Sequence, residues 1–541
     1  MKSILTVVEA DMAASRLGLR SRLMEEFGGS TVLEAAFRGA EAVEGTVGTV
    51  VTCAAADEEA VRKALGGRGR VLASEGKDSP SRAVLRRTRK WATGCWRGGI
   101  GGTSWFDEFG NPSWMEAARE LSGADAVLLV GADAPFLDPA LISGLAAHAA
   151  REIDTFVFVF SLAPAGLSGA VYSKGMLSHM VGEGLSACSV LRFNPQVPAP
   201  DPNYTAANFR IDERLRVGGL RLTADSRRGL ETLRELRDGA ARHDPLGLAE
   251  AFGSDPAIRA GKVPREVELE ISGDWRLAPE WDARRAHGRR DLAMGMGLFE
   301  KIVGELAEYD DVLLTFGGCG EPTLHPDLAR MIAVAREAGI WGIQLVTDGE
   351  RLEGDLLDAL IRHEADVLTV KLWAHDREDY GRVWGQDSYG RVVANIDSLA
   401  ERLRQRGSAA PLVLPEILKI RELQPKIEAF VEHWESRSTW PVIRGFNDYA
   451  GQIPDRSILH LTLAKRRPCC RIEGRMYVLP DGRVPACDQD FLGRRIVGDL
   501  SGDSVRGVWT GKSMADLRDA HARGRYGEFD LCLKCRDWDH M

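Results

Sequence analysis

The sequence contains no run of about 18 apolar residues, so no membrane-crossing helix is expected. It has no excess of basic residues. Its 70 Lys and Arg against 79 Asp and Glu leave a net charge of −9, which gives no general pull toward nucleic acid or an anionic membrane. No low-complexity tract and no short internal repeat is evident, which sets aside repeat arrays. The opening MKSILTVVEADMAAS lacks a long apolar core and a small-residue cleavage site, so it reads as a buried first strand rather than a signal peptide. The cytoplasm is therefore the default location, and structural disulfides are disfavoured there.

What is present is a protein of 541 residues, 44% hydrophobic and 28% charged, long enough for about three globular domains. Its nine cysteines are unevenly spread. Cys53, Cys95, Cys188 and Cys319 are scattered, while five lie after residue 468. Clustered thiols in a reducing compartment read first as metal ligands. Cys469, Cys487, Cys532 and Cys535 make a set of four, with Cys470 an alternative to Cys469. Soft sulfur favours zinc or an iron–sulfur cluster over harder ions. The Asp481-Gly482 turn should close a hairpin that Cys469 precedes and Cys487 ends, and Cys532-Leu533-Lys534-Cys535 can bring two sulfurs to one centre.

Residues 1–245 alternate strand-like and helix-like segments, among them SILTVVEA, GTVVTCA, AVLLVGADAP and LISGLAAHAAREI. This implies an α/β sheet, largely parallel. Residues 246–265 are rich in Gly, Pro and Ala and read as a linker. The alternation restarts at 266 and runs to 455 in short strand–helix pairs, as a full or partial β/α barrel would. Residues 456–541 hold short strands, turns and the cysteines.

The last segment resembles the one-cluster SPASM domain. The likeness rests on Arg-Arg-Pro-Cys, Val-Leu-Pro-Asp-Gly-Arg-Val-Pro-Ala-Cys-Asp-Gln-Asp, Val-Gly-Asp-Leu, Ser-Val-Arg-Gly-Val-Trp and the final Cys-x-x-Cys, in that order. It implies an auxiliary [4Fe–4S] cluster on Cys469, Cys487, Cys532 and Cys535, with Cys469 placed directly after the proline. Four thiols in a structural zinc ribbon are the alternative.

In the central region, Phe316-Gly317-Gly318-Cys319-Gly320-Glu321-Pro322 follows the strand DVLLT. Glycines there let a small ligand approach the backbone, and a glutamate can accept hydrogen bonds from an ammonium group. The run resembles the GGEP-type motif of radical S-adenosylmethionine enzymes, and the likeness extends through Val346-Thr347-Asp348-Gly349 and Val370–Asp376. It implies a partial barrel in which Gly317, Gly318 and Glu321 are candidates for holding S-adenosylmethionine. A bare tight turn with no ligand is the alternative. Such enzymes carry CxxxCxxC after their first barrel strand. Here Leu269–Asp282 has no cysteine, and Trp275, Pro279 and Asp282 fill the expected slots. Without those thiols no radical initiation is expected, and His325 reads as a loop residue.

In the first region, Leu128–Pro139 is a strand ending in an acidic turn that contains Asp133, and Arg221–Asp225 supplies a second strand-end carboxylate. Two such groups can hold Mg²⁺ against a nucleoside triphosphate. Both segments resemble nucleotidyltransferases of the glycosyltransferase-A type, most closely the cytidylyltransferases of sugar-acid activation. Arg16, Asp133 and Asp225 are the nucleotide and Mg²⁺ candidates this implies. The first loop departs from the family: Ala10–Leu17 has lost its glycines, and Asp11 would repel phosphate. The alternative is a scaffold sheet in which Asp133 caps the following helix.

The three-part order resembles the spiro-SPASM proteins. It implies an iron–sulfur protein serving as a redox or substrate-binding component of a peptide or small-molecule modification pathway, with an electron-transfer partner. Mg²⁺-dependent nucleotidyl transfer and a zinc-stabilised scaffold are the alternatives.

Overall fold

The structure, a computed structural model, describes residues 2–75, 80–98, 100–185, 205–437, 439–459, 463 and 465–538. Cys188 lies outside the described residues. The chain divides into two compact units, Met1–Arg259 and Ala260–Met541.

The first unit is built on a seven-stranded sheet. Its strands are β1 (Ile4–Glu9), β2 (Thr49–Ala54), β3 (Arg70–Ser74), β4 (Ala126–Gly131), β5 (Phe158–Ser161), β6 (Ala170–Ser173) and β7 (Asn208–Phe209), in the order β3-β2-β1-β4-β6-β5-β7. The first four are mutually parallel, and β6 is antiparallel to both β4 and β5. Every residue of β1 and β4 is buried, as central parallel strands covered on both faces require. The two faces pack separate apolar clusters: Val8, Leu128 and Val130 on one side, Val7, Val127 and Leu129 on the other.

The region read as a linker is instead helical at Pro245–Ser254 and Pro256–Ala260. Asp244 caps the first helix by accepting from Gly247 N at 2.7 Å, and Leu248, Ala249 and Phe252 bury the apolar face. The Gly, Pro and Ala content that suggested a linker serves caps and close packing, with Pro245 at the first helical turn.

The second unit carries seven parallel strands: β8 (Glu266–Leu269), β9 (Leu313–Phe316), β10 (Gly342–Thr347), β11 (Val367–Lys371), β12 (Leu412–Lys419), β13 (Val442–Gly445) and β14 (Arg475–Val478). The order β13-β12-β11-β10-β9-β8-β14 runs from one edge to another, so the barrel is partial. Alternation explains its two faces. Val267 and Leu269 of β8 join the apolar core, while Glu266 and Glu268 between them stay half-buried on the opposite, inner face.

The expected turn folds the chain back on itself, with Leu479 N donating to Arg483 O at 2.9 Å. The Asp481-Gly482 turn forms, with Gly482 N donating to Leu479 O at 2.9 Å and Gly482 at φ +90°. The strands flanking it do not form one hairpin ladder. β14 instead pairs in parallel with β8, and Arg483–Pro485 (β15) pairs antiparallel with Ile496–Asp499 (β16). Arg475 explains part of the choice: it donates from Nη2 to Glu266 on β8 at 2.7 Å. The cysteine-bearing segment is thereby hydrogen-bonded to the barrel's first strand.

Candidate functional site

Three short stretches bring the late cysteines together. Cys469 is buried just before the helix Arg471–Gly474, and Cys487 follows β15. Cys532 lies in the helix Asp530–Lys534, which Cys535 terminates. Polar side chains next to the cysteines tie the stretches to one another. Arg471 pairs with Asp488 and donates from Nε to Asp537 O at 3.2 Å. Gln489 Nε2 donates to Asp537 Oδ2 at 3.1 Å, and Arg466 Nη2 to Cys532 O at 2.6 Å.

The four thiols form a ring of mutual electrostatic influence. Cys487 feels both Cys469 and Cys532, Cys535 feels Cys532, and Cys469 feels Cys535. Burial first pushes the thiols of Cys469 and Cys487 up, then Cys470 and more weakly Cys535 for Cys469, and Asp488 followed by Cys469 and Cys532 for Cys487; burial raises Cys532. Cys535 is pushed up to about 11 by burial and then by Asp537 and Cys532. Backbone N–H groups oppose the shift: those of Arg471 and Ile472 donate to Cys469, that of Gln489 to Cys487 and that of Asp537 to Cys535. Arg466 and Arg495 favour the thiolate of Cys532. Cys470 is engaged elsewhere, its thiol donating to Trp538 O at 3.6 Å. One buried and three half-buried cysteines, N–H donors aimed at three of them and nearby guanidinium groups fit the chemistry of a thiolate-bound cluster. Among the described residues, no group of three or more His, Cys, Asp or Glu side chains is arranged to hold a metal ion.

The barrel mouth is organised around Glu321, which is 2% exposed. Its Oε1 accepts from Thr323 N at 3.1 Å, Thr323 Oγ1 at 2.7 Å and Thr347 Oγ1 at 2.6 Å. Its Oε2 accepts from Asp348 N at 2.9 Å and from Arg284 Nη2 at 3.4 Å. Burial pushes the Glu321 carboxyl up, but Arg284 and these hydrogen bonds outweigh it and hold the group below its ordinary value. Asp348 goes the other way, raised by burial and by the Glu321 carboxylate. Gly317 and Gly318 lie beside the first barrel strand: Gly318 N donates to Glu268 Oε1 at 2.9 Å. Cys319 is buried, its N–H donating to Glu270 Oε2 at 3.0 Å. His325 is structural, with Nε2 against Met294 O at 2.9 Å and Nδ1 accepting from Asp327 N at 3.1 Å.

The slots without cysteine hold aromatic and polar packing. Arg290 lies 4.3 Å from the Trp275 ring centre, and Asp282 accepts from Arg284 N at 2.9 Å. Beside them, Trp281 stacks on Trp373 with centroids 5.6 Å apart, and Trp373 on Trp384 at 5.0 Å.

In the first unit Arg16, Asp133 and Asp225 come together, with two further arginines and a glutamate. Arg16 donates from Nε to Asp133 Oδ2 at 2.7 Å and from Nη2 to Oδ1. Arg221 pairs with Asp225, which also accepts from Thr223 Oγ1 at 2.7 Å. Arg221 Nη2 also donates to Glu108 Oε2 at 2.8 Å, and Arg89 Nε to Glu108 Oε1 at 2.9 Å. Burial raises Asp225, reinforced by Asp133, and Arg221 only partly offsets it. Both oxygens of Asp133 face a guanidinium. The arrangement therefore does not fit Mg²⁺, whose carboxylate ligands must be open to it. Nor does Asp133 cap the next helix: Asp138 does, accepting from Leu141 N at 2.7 Å. Asp11 Oδ1 accepts from Ala13 N and Ala14 N at 3.0 and 2.9 Å, holding the loop that has lost its glycines.

Comparison with known proteins follows this geometry. The SPASM family, described as an iron–sulfur cluster-binding domain, matches residues 469–536. The MobA-like NTP transferase domain matches residues 13–182. An uncharacterized protein of Treponema pallidum is 26% identical over 248 residues, which cover 44% of this chain and 67% of that protein. A probable GTP 3',8-cyclase of Saccharolobus islandicus is 30% identical over 97 residues. That match covers 18% of this chain and 31% of the cyclase, so the chain spans about a third of that relative's length. Among solved structures, BtrN in complex with AdoMet and 2-DOIA is 15% identical with a TM-score of 0.35, covering 50% of this chain and 92% of that one. A cytidylyltransferase from Leptospira borgpetersenii is 14% identical with a TM-score of 0.34, covering 48% and 97%. The architecture is mixed α/β, with a region similar to the MobA-like NTP transferase domain first, a partial β/α barrel next and a segment matched by the SPASM model last.

Reading the sequence alone missed Arg284, Arg89, Glu108 and Arg221. Arg221 stood inside a quoted motif, and the signal available was a basic residue four positions before a supposedly metal-binding Asp225. Arg284 stood two positions after the last vacated cysteine slot, where nothing in its neighbours announced a buried cation. The SPASM domain itself was legible because its cysteines and its Pro-Asp-Gly turn are local.

Proposed function

We propose that this protein holds a [4Fe–4S] cluster on Cys469, Cys487, Cys532 and Cys535 and serves as a redox or substrate-binding component of a peptide or small-molecule modification pathway. The observation that supports the reading is the set of four mutually influencing thiols inside the segment matched by the SPASM model. Cys470 is left out because its thiol already bonds Trp538 O. A bound cluster supplies a one-electron centre, or an iron on which a substrate group can be anchored. The chain's part is to deliver four sulfurs, to donate N–H groups to them and to place Arg466, Arg471 and Arg495 around the charge they carry. Such donors raise the potential of a bound cluster. The partner implied is a protein that exchanges one electron with it.

Radical initiation is not part of this reading, because the loop after β8 offers no thiol. Mg²⁺-dependent nucleotidyl transfer is not part of it either, because Arg16 and Arg221 take the carboxylates it needs. All eight described cysteines are free thiols, and no described helix is long and apolar enough to cross a membrane.

The test is metal and sulfide analysis of protein purified without oxygen. About four irons and four acid-labile sulfides per chain are expected. One zinc per chain without sulfide would establish the zinc-scaffold alternative. Absence of both iron and sulfide after reconstitution refutes the cluster.

A further inference from the structure

Arg284 is among the most deeply buried side chains of the protein, at 1% exposure. It sits in the single turn Ala283–Arg285, capped by Asp282, inside the loop that replaces the cysteine loop of radical enzymes. Its guanidinium has three anchors. Nη1 donates to Leu277 O at 2.8 Å and lies 3.6 Å from Asp348 Oδ2, and Nη2 donates to Glu321 Oε2 at 3.4 Å. Glu321 then receives five donors. Two carboxylate oxygens offer about four lone-pair sites, so no acceptor capacity remains for a ligand ammonium group.

The glycine run gives an independent observation. A cradle for a ligand would leave open space where a Cβ would project. Here an added Cβ at Gly318 would come within 2.7 Å of the Glu270 side chain. One at Gly320 would collide with the Ser272 carbonyl, and one at Gly317 would lie 2.9 Å from Glu268 Oε1. Glu321 N also donates to Asp274 O at 2.7 Å. Gly320 admits the chain's own Ser272–Gly273 backbone, and Gly317 and Gly318 face the Glu268 and Glu270 side chains. S-adenosylmethionine, which the barrel's resemblance implies, does not fit the mouth so arranged.

We propose that Arg284 is a built-in occupant of the Glu321–Asp348 cation pocket, so that the barrel is closed by its own loop and takes up no S-adenosylmethionine. Removing the side chain opens a pocket that accepts a small planar guanidinium in its place. Asp282, Glu321 and Asp348 are the carboxylates that act on the guanidinium. This inference does not rest on the cluster, and iron content is measured on the same samples so that the two fail separately.

The experiment uses the full chain. Wild type, Arg284→Ala and Arg284→Lys are followed by thermal unfolding and by equilibrium dialysis with labelled S-adenosylmethionine. Wild type should neither retain the label nor shift its melting on titration. Arg284→Ala should melt several degrees lower and recover most of that loss with low-millimolar methylguanidinium, but not with tetramethylammonium or urea. Arg284→Lys should lose less and show little recovery. Specific retention of the label by wild type overturns the proposal. So does an Arg284→Ala protein that methylguanidinium and tetramethylammonium stabilise equally. Should Arg284→Ala not fold, the wild-type dialysis and the Arg284→Lys melting decide alone.

Discussion

Glu108 holds the first unit's buried charge network together, and replacing it by Gln tests whether that network is dry. The carboxylate is 1% exposed and faces two guanidinium groups. Arg89 reaches it at 2.8 Å from Nη2 and 2.9 Å from Nε, and Arg221 at 2.8 Å from Nη2 and 3.3 Å from Nη1. Arg221 goes on to Asp225, and Arg16 lies near enough to be felt at Glu108. In Glu108→Gln three arginines would share two carboxyls, one of which, Asp225, is already pushed toward its neutral form. Removing one partner of a buried pair costs about 3–5 kcal/mol, because the remaining charge stays desolvated. An exposed pair would cost about 0–1 kcal/mol. The two readings are far enough apart to separate.

Hydrogen exchange resolved along the chain is the assay, since it reads the first unit without reference to the second. Amides of β4, where every residue is buried, should exchange by opening of the whole unit. Their rates should rise about a hundredfold to several thousandfold in Glu108→Gln, at about tenfold per 1.4 kcal/mol. The pH dependence has a definite sign. Burial raises Glu108, but Arg221 and Arg89 outweigh it and hold the folded carboxyl below its ordinary value. The stabilisation is therefore fully present above about 4.3, the unfolded value, and is lost as pH falls through the folded one. Glu108→Gln should lack that acid-dependent loss. A rise in β4 exchange of less than about fivefold, roughly 1 kcal/mol, refutes the dry network.

Other outcomes follow from the second unit. Cys535→Ser should lower iron and sulfide content sharply while Cys470→Ser retains it; equal loss in both refutes the assignment of the quartet. Gly320→Ala should cost more than about 2 kcal/mol, because backbone, not a flexible side chain, meets the new Cβ. It should also expose 270–292 to limited proteolysis, and an unchanged cleavage pattern would count against the closed mouth. His287 is pushed down to about 4 by burial and then by Arg289, Arg284 and Arg290. The neutral form is bound in the fold, so the second unit should lose stability as pH falls from about 6.5 toward 4. Its Nε2 is buried without a hydrogen-bond partner. His287→Phe should flatten that loss, and a profile unchanged by the substitution shows that other groups set it.

Much of the architecture was legible because its signals are short in sequence. Alternation in EVELEIS gave β8, Pro245 and Asp244 marked a helix start that composition disguised as a linker, and the SPASM cysteines lie within a single segment. Partner choice was not legible. The turn at Asp481-Gly482 was visible, but β14 pairs with β8, 209 positions away at Arg475 and Glu266, and no local rule encodes that. The buried arginines share this character. Arg16 meets Asp133 across 117 positions and Arg284 meets Glu321 across 37. A motif read along the chain shows the carboxylate and not its occupant.

The two carboxylate sites have the same physical solution, and the reason is electrostatic. A buried carboxylate shaped to meet a cation remains costly when no cation arrives, because its desolvation is not repaid. A chain that buries such a carboxylate without an external cation must supply a charge of its own. Asp133 and Glu321 are both kept, and each has an arginine in bonding distance. Guanidinium suits the purpose: it is always charged, and its planar fork meets several acceptors at once, where a lysine would offer a single point charge. Arg16 meets both oxygens of Asp133 in this way, and Arg284 reaches Glu321, Asp348 and a backbone carbonyl together. The late thiols have no such substitute. They are pushed up by burial and by one another, and it is backbone N–H groups and arginines, not a tethered metal substitute, that favour their ionised form. Of the three sites, this is the one where no described arginine side chain is bonded directly to the groups in question, and the proposed cluster would be what ionises them.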